Sequence, residues 1–531
     1  MALDLHGQLF PHWIARWRAH DSSSDTDSVP QTRRTKPSVL RKAGVMTAIA
    51  LFGVAWGGVV AVAGVNALYL CVSLVGCAFI LRDFRIGVAL LIVLMPISRS
   101  WMFPHAMLGV TGLNPFNLLL VGTVGSLLLQ VLSEKNRGPL VPRPLLWLYL
   151  VPIIAAGVLG SGHVNEIPSF LLDGNVIEFD SASGYLRDML MKPLIMVVFA
   201  LVVGAAMARS EKPERFLYPA VAAIWVMSAL VIVFVLLSGT SLKDMAGSES
   251  REVLSALGMH ANSLGRLYVS AYALLLFTWA ESKSSGFRLA LLVSMVVVVV
   301  ALVLTFSRGA FLSFVLVNLL YLVWRRSART WLLFGLLAAC VLVALPGAVY
   351  DRVLMGVGSG SVDTISAGRI DYLWLPLLPE LARSPIYGHG LGSIMWSEPM
   401  RTGGGITFLP VEHPHNAYLQ AVLDMGIIGL ILLCAYFWHV WKGLRALSHD
   451  AALSPTLRGC YAGAAAGLAS LLVSYVTDSS LTPGVEQSFL WFSVGMMYGQ
   501  AATAFRSAHS ATKARATMRT DAPGPRHVVQ R

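Results

Sequence analysis

Two histidines and three arginines stand where long hydrophobic stretches give way to polar residues. The run Glu412-His413-Pro414-His415-Asn416 immediately precedes an apolar segment reading AYLQAVLDMGIIGL. Pro414 keeps the residue before it extended, which leaves His415 at the mouth of the helix that follows. An imidazole there can accept a proton near neutral pH, or it can simply cap the helix; the residue alone leaves both readings open. The run Thr305-Phe306-Ser307-Arg308-Gly309-Ala310 interrupts two apolar spans. An arginine at such depth needs a partner or a wet cavity, so Arg308 is a candidate functional cation, with snorkelling to lipid phosphates as the plain alternative. In Ser366-Ala367-Gly368-Arg369 the guanidinium of Arg369 could grip a phosphate with two parallel hydrogen bonds. Asn262 and Arg266 open a further apolar stretch and could border the same cavity.

Other polar features carry less. Gly388-His389-Gly390-Leu391-Gly392-Ser393 lacks the Lys-Ser/Thr pair of a phosphate-binding loop and reads as a backbone turn. Asp424 lies nine residues beyond His415, and at 100° per residue this places it on the opposite helical face. The two should form no direct dyad, and Asp424 should pair with another helix or lie toward the inner half of the membrane. His413, His415, Glu412 and His389 could in principle gather round a metal, but their spacing matches no metal signature, and no metal is expected.

The elements that must position these residues are membrane helices. Of 531 residues 56% are hydrophobic and 13% charged, against about 25% charged in a soluble domain. Apolar blocks long enough to cross a bilayer recur along the chain. The hydropathy pattern gives an all-α polytopic membrane protein of about fourteen transmembrane helices, the first near 44–63 and the last near 485–505. The five cysteines lie in or beside apolar spans and read as packing residues.

Lys and Arg favour cytoplasmic loops, and their distribution places both termini inside. Residues 1–42 are then a disordered basic cytoplasmic N-terminus, 43–506 the transmembrane domain and 507–531 a basic cytoplasmic tail. Residues 349–415 form one large periplasmic loop. It is too rich in aromatic and apolar residues for disorder, and its stretch Ile370–Leu381 reads as a surface helix. The net charge of +12 follows from topology and gives no reason to expect nucleic acid.

The ordered set of motifs resembles the O-antigen ligase and polysaccharide polymerase family of bacterial inner-membrane glycosyltransferases. Three segments carry the likeness: Ser307–Leu312 (SRGAFL), Gly368–Ser393, and His415-Asn416 followed after nine residues by Gly426 and, two further on, by Gly429. They cover roughly residues 260–435. His389 departs from the small residue expected in the glycine-rich turn.

The resemblance implies a GT-C-like helical fold and a metal-independent, inverting glycosyltransferase that needs no cofactor. Its implied donor is a glycan on undecaprenyl diphosphate, and its acceptor another glycan or lipid A-core, joined at the periplasmic face of the inner membrane. On that reading Arg308 and Arg369 stabilise the diphosphate as it leaves. His415 deprotonates the acceptor hydroxyl, oriented by Asn416 or Glu412. Arg266, Arg187 and Lys192 are further diphosphate contacts. Polymerisation of a surface or exopolysaccharide is favoured over ligation to lipid A-core. Transfer to protein and polysaccharide transport rank below both, and other polysaccharide assembly proteins are potential partners.

Overall fold

The computed structural model describes residues 39–503, apart from 105, 108–109, 134–140, 173–174, 240, 242–252, 333, 337–346, 354–365, 367, 403–411 and 478–480. The expected cytoplasmic ends, 1–42 and 507–531, therefore fall almost wholly outside the described residues. The chain divides into two compact units, one ending at Ala67 and the other running from Leu68. The first contains α1 (Val39–Ala63), whose Trp56 donates its indole N–H to the Ala67 carbonyl at 3.1 Å.

The helices that follow are α2 (Val65–Ile80), α3 (Phe84–Leu94), α4 (Pro115–Ser133), α5 (Leu145–Glu166), α6 (Ala182–Ala208), α7 (Pro213–Ser238), α8 (Ala261–Glu281), α9 (Ser285–Val303) and α10 (Arg308–Arg325). After a long connection come α11 (Leu375–Arg383), α12 (Ala417–His449), α13 (Pro455–Ser474) and α14 (488–503). Two short antiparallel hairpins, Ala106–Met107 with Val110–Thr111 and Phe170–Leu172 with Asn175–Ile177, are the strands among the described residues.

Eight of these helices are long and apolar enough to cross a membrane: α4, α5, α6, α7, α9, α10, α12 and α13. Hydropathy alone suggested fourteen, and the difference has specific sources. The segments Asn66–Ile80 and Phe84–Ile97 are apolar but short, the second stopped by a turn at Pro96 as the proline predicts. The expected span at 331–348 lies largely outside the described residues. Helix α8 carries Asn262, Ser263, Arg266 and two tyrosines, yet it is buried on every face. It is a central helix rather than a lipid-facing one, with its two tyrosine hydroxyls donating to Met227 O and Asn318 Oδ1 on neighbouring helices.

Small residues let α13 approach α8 closely. A Cβ on Gly459 would sit 2.5 Å from the Phe277 carbonyl oxygen, and one on Gly463 would sit 2.4 Å from that of Ala273. Backbones can touch this way only where side chains are missing. Helix α10 joins this group through Ser470, whose hydroxyl donates to the Ser313 carbonyl at 3.0 Å, and α7 joins through the Tyr268 hydroxyl on Met227 O at 3.0 Å.

Three segments widen into π-helix just before a proline: Leu145–Leu150 before Pro152, Leu186–Met191 before Pro193 and Ile370–Trp374 before Pro376. In each, the amide preceding the proline bonds a carbonyl five residues back, Val151 to Leu146, Lys192 to Arg187 and Leu375 to Ile370. A proline has no N–H, and its ring crowds the carbonyl four residues earlier; one wider turn relieves both problems.

Candidate functional site

Three helix N-termini carry the polar residues singled out from sequence. Helix α8 begins after His260, whose Nδ1 accepts the Asn262 amide at 3.2 Å. Helix α10 begins after Ser307, whose hydroxyl accepts from Ala310 N at 3.4 Å. Helix α12 begins after Asn416, whose side-chain oxygen accepts from the amides of Tyr418 and Leu419 at 3.1 and 3.0 Å. Asn416 is thus first a helix cap, a role its residue type favours. The first turns of α8 and α10 are in close contact, for a Cβ on Gly265 would lie 2.5 Å from the Ala310 Cβ. The α12 start is tied to the end of α13 by the Ala417 amide on Tyr475 O at 2.9 Å.

Arg266, buried on α8, donates to Ser263 Oγ at 3.0 Å. Arg369, half-buried, donates to Thr477 O at 2.6 Å. Burial and the nearby Arg308 and Arg266 guanidiniums lower its pKa. These three cations therefore share one neighbourhood. Arg187 and Lys192 behave differently: both pair with Asp188, at 3.0 and 2.6 Å, so the two cations share one neighbouring carboxylate.

His415 adopts a left-handed backbone conformation (φ 50°), as does Phe306 (φ 48°) two residues before Arg308. Non-glycine residues hold such angles only when their surroundings enforce them. Here Pro414 is gripped by the indole N–H of Trp374 on its carbonyl oxygen, at 2.8 Å. The rings of His413 and His415 lie 4.4 Å apart between centroids. Burial, with the surrounding cations and imidazoles, pushes the His413 pKa down to about 4 and that of His415 lower still. Both imidazoles are therefore neutral near pH 7, the state a base requires. Glu412 is exposed.

The large loop is anchored at a break in α12. Gly426 has φ 65° and ψ −173°, a conformation open to glycine, and a Cβ there would strike Ile386 O at 2.1 Å. The turn from Ile386 to Ser393 lies in this break: His389 N donates to Leu423 O at 2.8 Å, Gly390 N to Asp424 O at 2.9 Å, and Leu391 N to Ala156 O on α5 at 3.0 Å. The Asp424 carboxylate accepts from Ser393 N and Ser393 Oγ, at 3.0 and 2.8 Å, and from Gln420 Nε2 at 3.3 Å. Asp424 thus holds the loop, rather than pairing with another helix as helical spacing had suggested. His389, its ring on Glu380 O at 2.9 Å, belongs to this anchor, apart from His413 and His415.

A model of the O-antigen ligase family matches residues 292–434. No individual curated protein matches the chain. The matched segment contains Arg308, Arg369, His413, His415 and the Asp424–Gly426 break. Arg266, His260 and Glu486 lie outside it. Glu486, in the turn before α14, bears electrostatically on Arg266 and Tyr475; sequence reasoning gave no sign of it, because it stands 220 residues from Arg266 and is brought in only by packing. His260 could have been found: it directly precedes the helix on which Asn262 and Arg266 were noticed.

Proposed function

We propose that this site transfers a glycan from a lipid diphosphate to a hydroxyl acceptor, at the periplasmic face of a bacterial inner membrane. The carrying observation is the meeting of three guanidiniums, Arg266, Arg308 and Arg369, with two neutral imidazoles at three helix N-termini. Helix N-termini carry partial positive charge and suit phosphate oxygens. The arginines add fixed charge where the leaving diphosphate becomes more negative, and they supply what a divalent cation would otherwise bring. His415 takes the proton of the attacking hydroxyl, and displacement at the anomeric carbon inverts its configuration. A polyprenyl diphosphate such as undecaprenyl diphosphate suits a site bounded by membrane helices.

Within this reading we favour polymerisation of a surface or exopolysaccharide. Ligation to lipid A-core is the second reading, favoured by the family description that residues 292–434 match. Purified protein is offered undecaprenyl-diphosphate-linked oligosaccharide alone or with rough lipopolysaccharide, in EDTA. Lengthening of the lipid-linked glycan in the first case supports polymerisation, and transfer only in the second supports ligation. Activity abolished by EDTA and restored by a divalent ion refutes the role given to the arginines, and an active His415→Ala protein refutes the base.

A further inference from the structure

The three helices whose first turns carry the polar residues of the candidate site, α8, α10 and α12, also meet at their far ends. From Ala417 to Trp438 α12 rises about 32 Å, close to the thickness of a bilayer's hydrocarbon core. There the Arg445 guanidinium of α12 lies over the Trp324 ring of α10, 4.0 Å from its centroid, and Arg325 of α10 pairs with Glu281 of α8 at 3.1 Å. Arg288, near the start of α9, lies 5.1 Å over the Trp279 ring of α8. Lys442 sits 5.5 Å over the ring of Trp438, which stacks on Trp441 with centroids 5.1 Å apart. Tryptophans and cations together mark the level at which hydrocarbon gives way to headgroups.

The charge of this cluster is unbalanced. Its carboxylate, Glu281, is already bonded to Arg325. Among the described residues Lys442 contacts the Trp438 ring, and Arg445 contacts the Trp324 ring and the exposed His449. A ring contact does not use up the five N–H donors of a guanidinium. Both cations precede the last turn of α12, so the negative end of the helix dipole does not neutralise them. The surface leading to them is equally one-sided. Along α12 the exposed residues Ile427, Ile431, Trp438 and Lys442 follow one another at helical spacing. Along α10 Leu319, Val323 and Arg326 do the same. Each stripe is apolar on the side of the candidate site and ends in a cation, and the contact of Arg445 with Trp324 joins the two helices where the stripes end. Acyl chains followed by a phosphate have that same order of parts, whereas a free phosphate would use the cations and leave the stripes unmatched.

We propose that the far ends of α10 and α12 bind an anionic phospholipid of the leaflet opposite the candidate site, its phosphate at Lys442 and Arg445 and its acyl chains along the two stripes. Lys442 and Arg445 stand three residues apart on α12 and so are neighbours on its surface. A zwitterionic lipid offers the same chains without net charge, so the cations supply the discrimination. The site stands whether or not the transferase reading does.

In the test, phosphatidylglycerol and phosphatidylcholine are each titrated into the full chain in a neutral detergent, and bound copies are counted by native mass spectrometry. Wild type should hold phosphatidylglycerol the more tightly. The double variant Lys442→Gln/Arg445→Gln should weaken phosphatidylglycerol binding about 30-fold and change phosphatidylcholine binding less than about twofold. Arg82→Gln/Arg143→Gln removes the same charge from exposed positions elsewhere and should bind phosphatidylglycerol as wild type does. If the double variant does not fold, Lys442→Gln decides the matter: its side chain is exposed, and its loss should weaken binding about fivefold. Equal affinity of the wild type for the two lipids overturns the site. An equal loss in the Lys442/Arg445 and Arg82/Arg143 variants overturns it too, because total charge alone would then attract the lipid, and so does phosphatidylglycerol binding that the Lys442 variants leave unchanged. Inorganic phosphate that displaces the lipid at matched concentration overturns the phospholipid as occupant.

Discussion

Replacing Asp424 by alanine tests whether the 386–393 turn is fastened to α12 as described. The carboxylate is buried and accepts from Ser393 N, Ser393 Oγ and Gln420 Nε2. Alanine leaves the Ser393 amide enclosed with no acceptor, while the serine hydroxyl and the Gln420 amide can turn elsewhere. One stranded buried donor plus the lost charge-assisted bonds costs about 2–4 kcal/mol. That shifts the docked-to-released equilibrium of the 386–393 turn roughly 30- to 1,000-fold. Asp424→Asn should cost only about 1 kcal/mol: its oxygen still accepts from Ser393, and Gln420 can flip to present its own oxygen, which has no partner among the described residues, to the new amide. Hydrogen exchange of the 386–396 amides in detergent reads the difference directly. Equal protection in wild type, Asp424→Asn and Asp424→Ala would refute the latch.

Gly426→Ala forces a Cβ to within 2.1 Å of Ile386 O at φ 65°; it should lower stability by about 2 kcal/mol or more, and an unchanged Tm would count against the break as described. His413, depressed to about 4, binds a proton in the unfolded chain below pH ~6.5 but not in the folded one. The unfolded state therefore binds more protons, so stability should fall as pH drops from about 6.5 toward 4, by up to about 3 kcal/mol. Thermal scans across that range should flatten in His413→Gln, and an identical slope in both proteins would contradict the assignment. Arg369→Gln removes a cation that lowers the His415 pKa; transfer should drop about 10²–10³-fold, and the acid limb of kcat/KM should move to higher pH. An acid limb left in place would show that Arg369 does not act on His415.

Much of this was legible in the sequence, and what was not has physical reasons. Apolar run lengths mark α4, α7, α9 and α13 because lipid demands continuous hydrophobicity over some twenty residues. The His415-Asn416 pair announces the α12 start, since asparagine caps helices and a preceding proline fixes the approach. Helix α8 is harder to count as a span because its polar residues face protein. Asp424 was misplaced because helical spacing says nothing about a partner arriving from a loop, here Ser393, 31 residues earlier in the chain. Glu486 could not be anticipated, since only tertiary packing carries it to Arg266. Helical periodicity sees what lies along a helix and is blind to what lies across it.

The glycine seam between α8 and α13 constrains traffic as well as packing. Where Gly459 and Gly463 bring backbone against backbone, no side chain can swing aside to open a gap. The proposed lipid-linked donor therefore has no path between these two central helices, and its tail would enter and leave along borders made of bulkier, displaceable side chains.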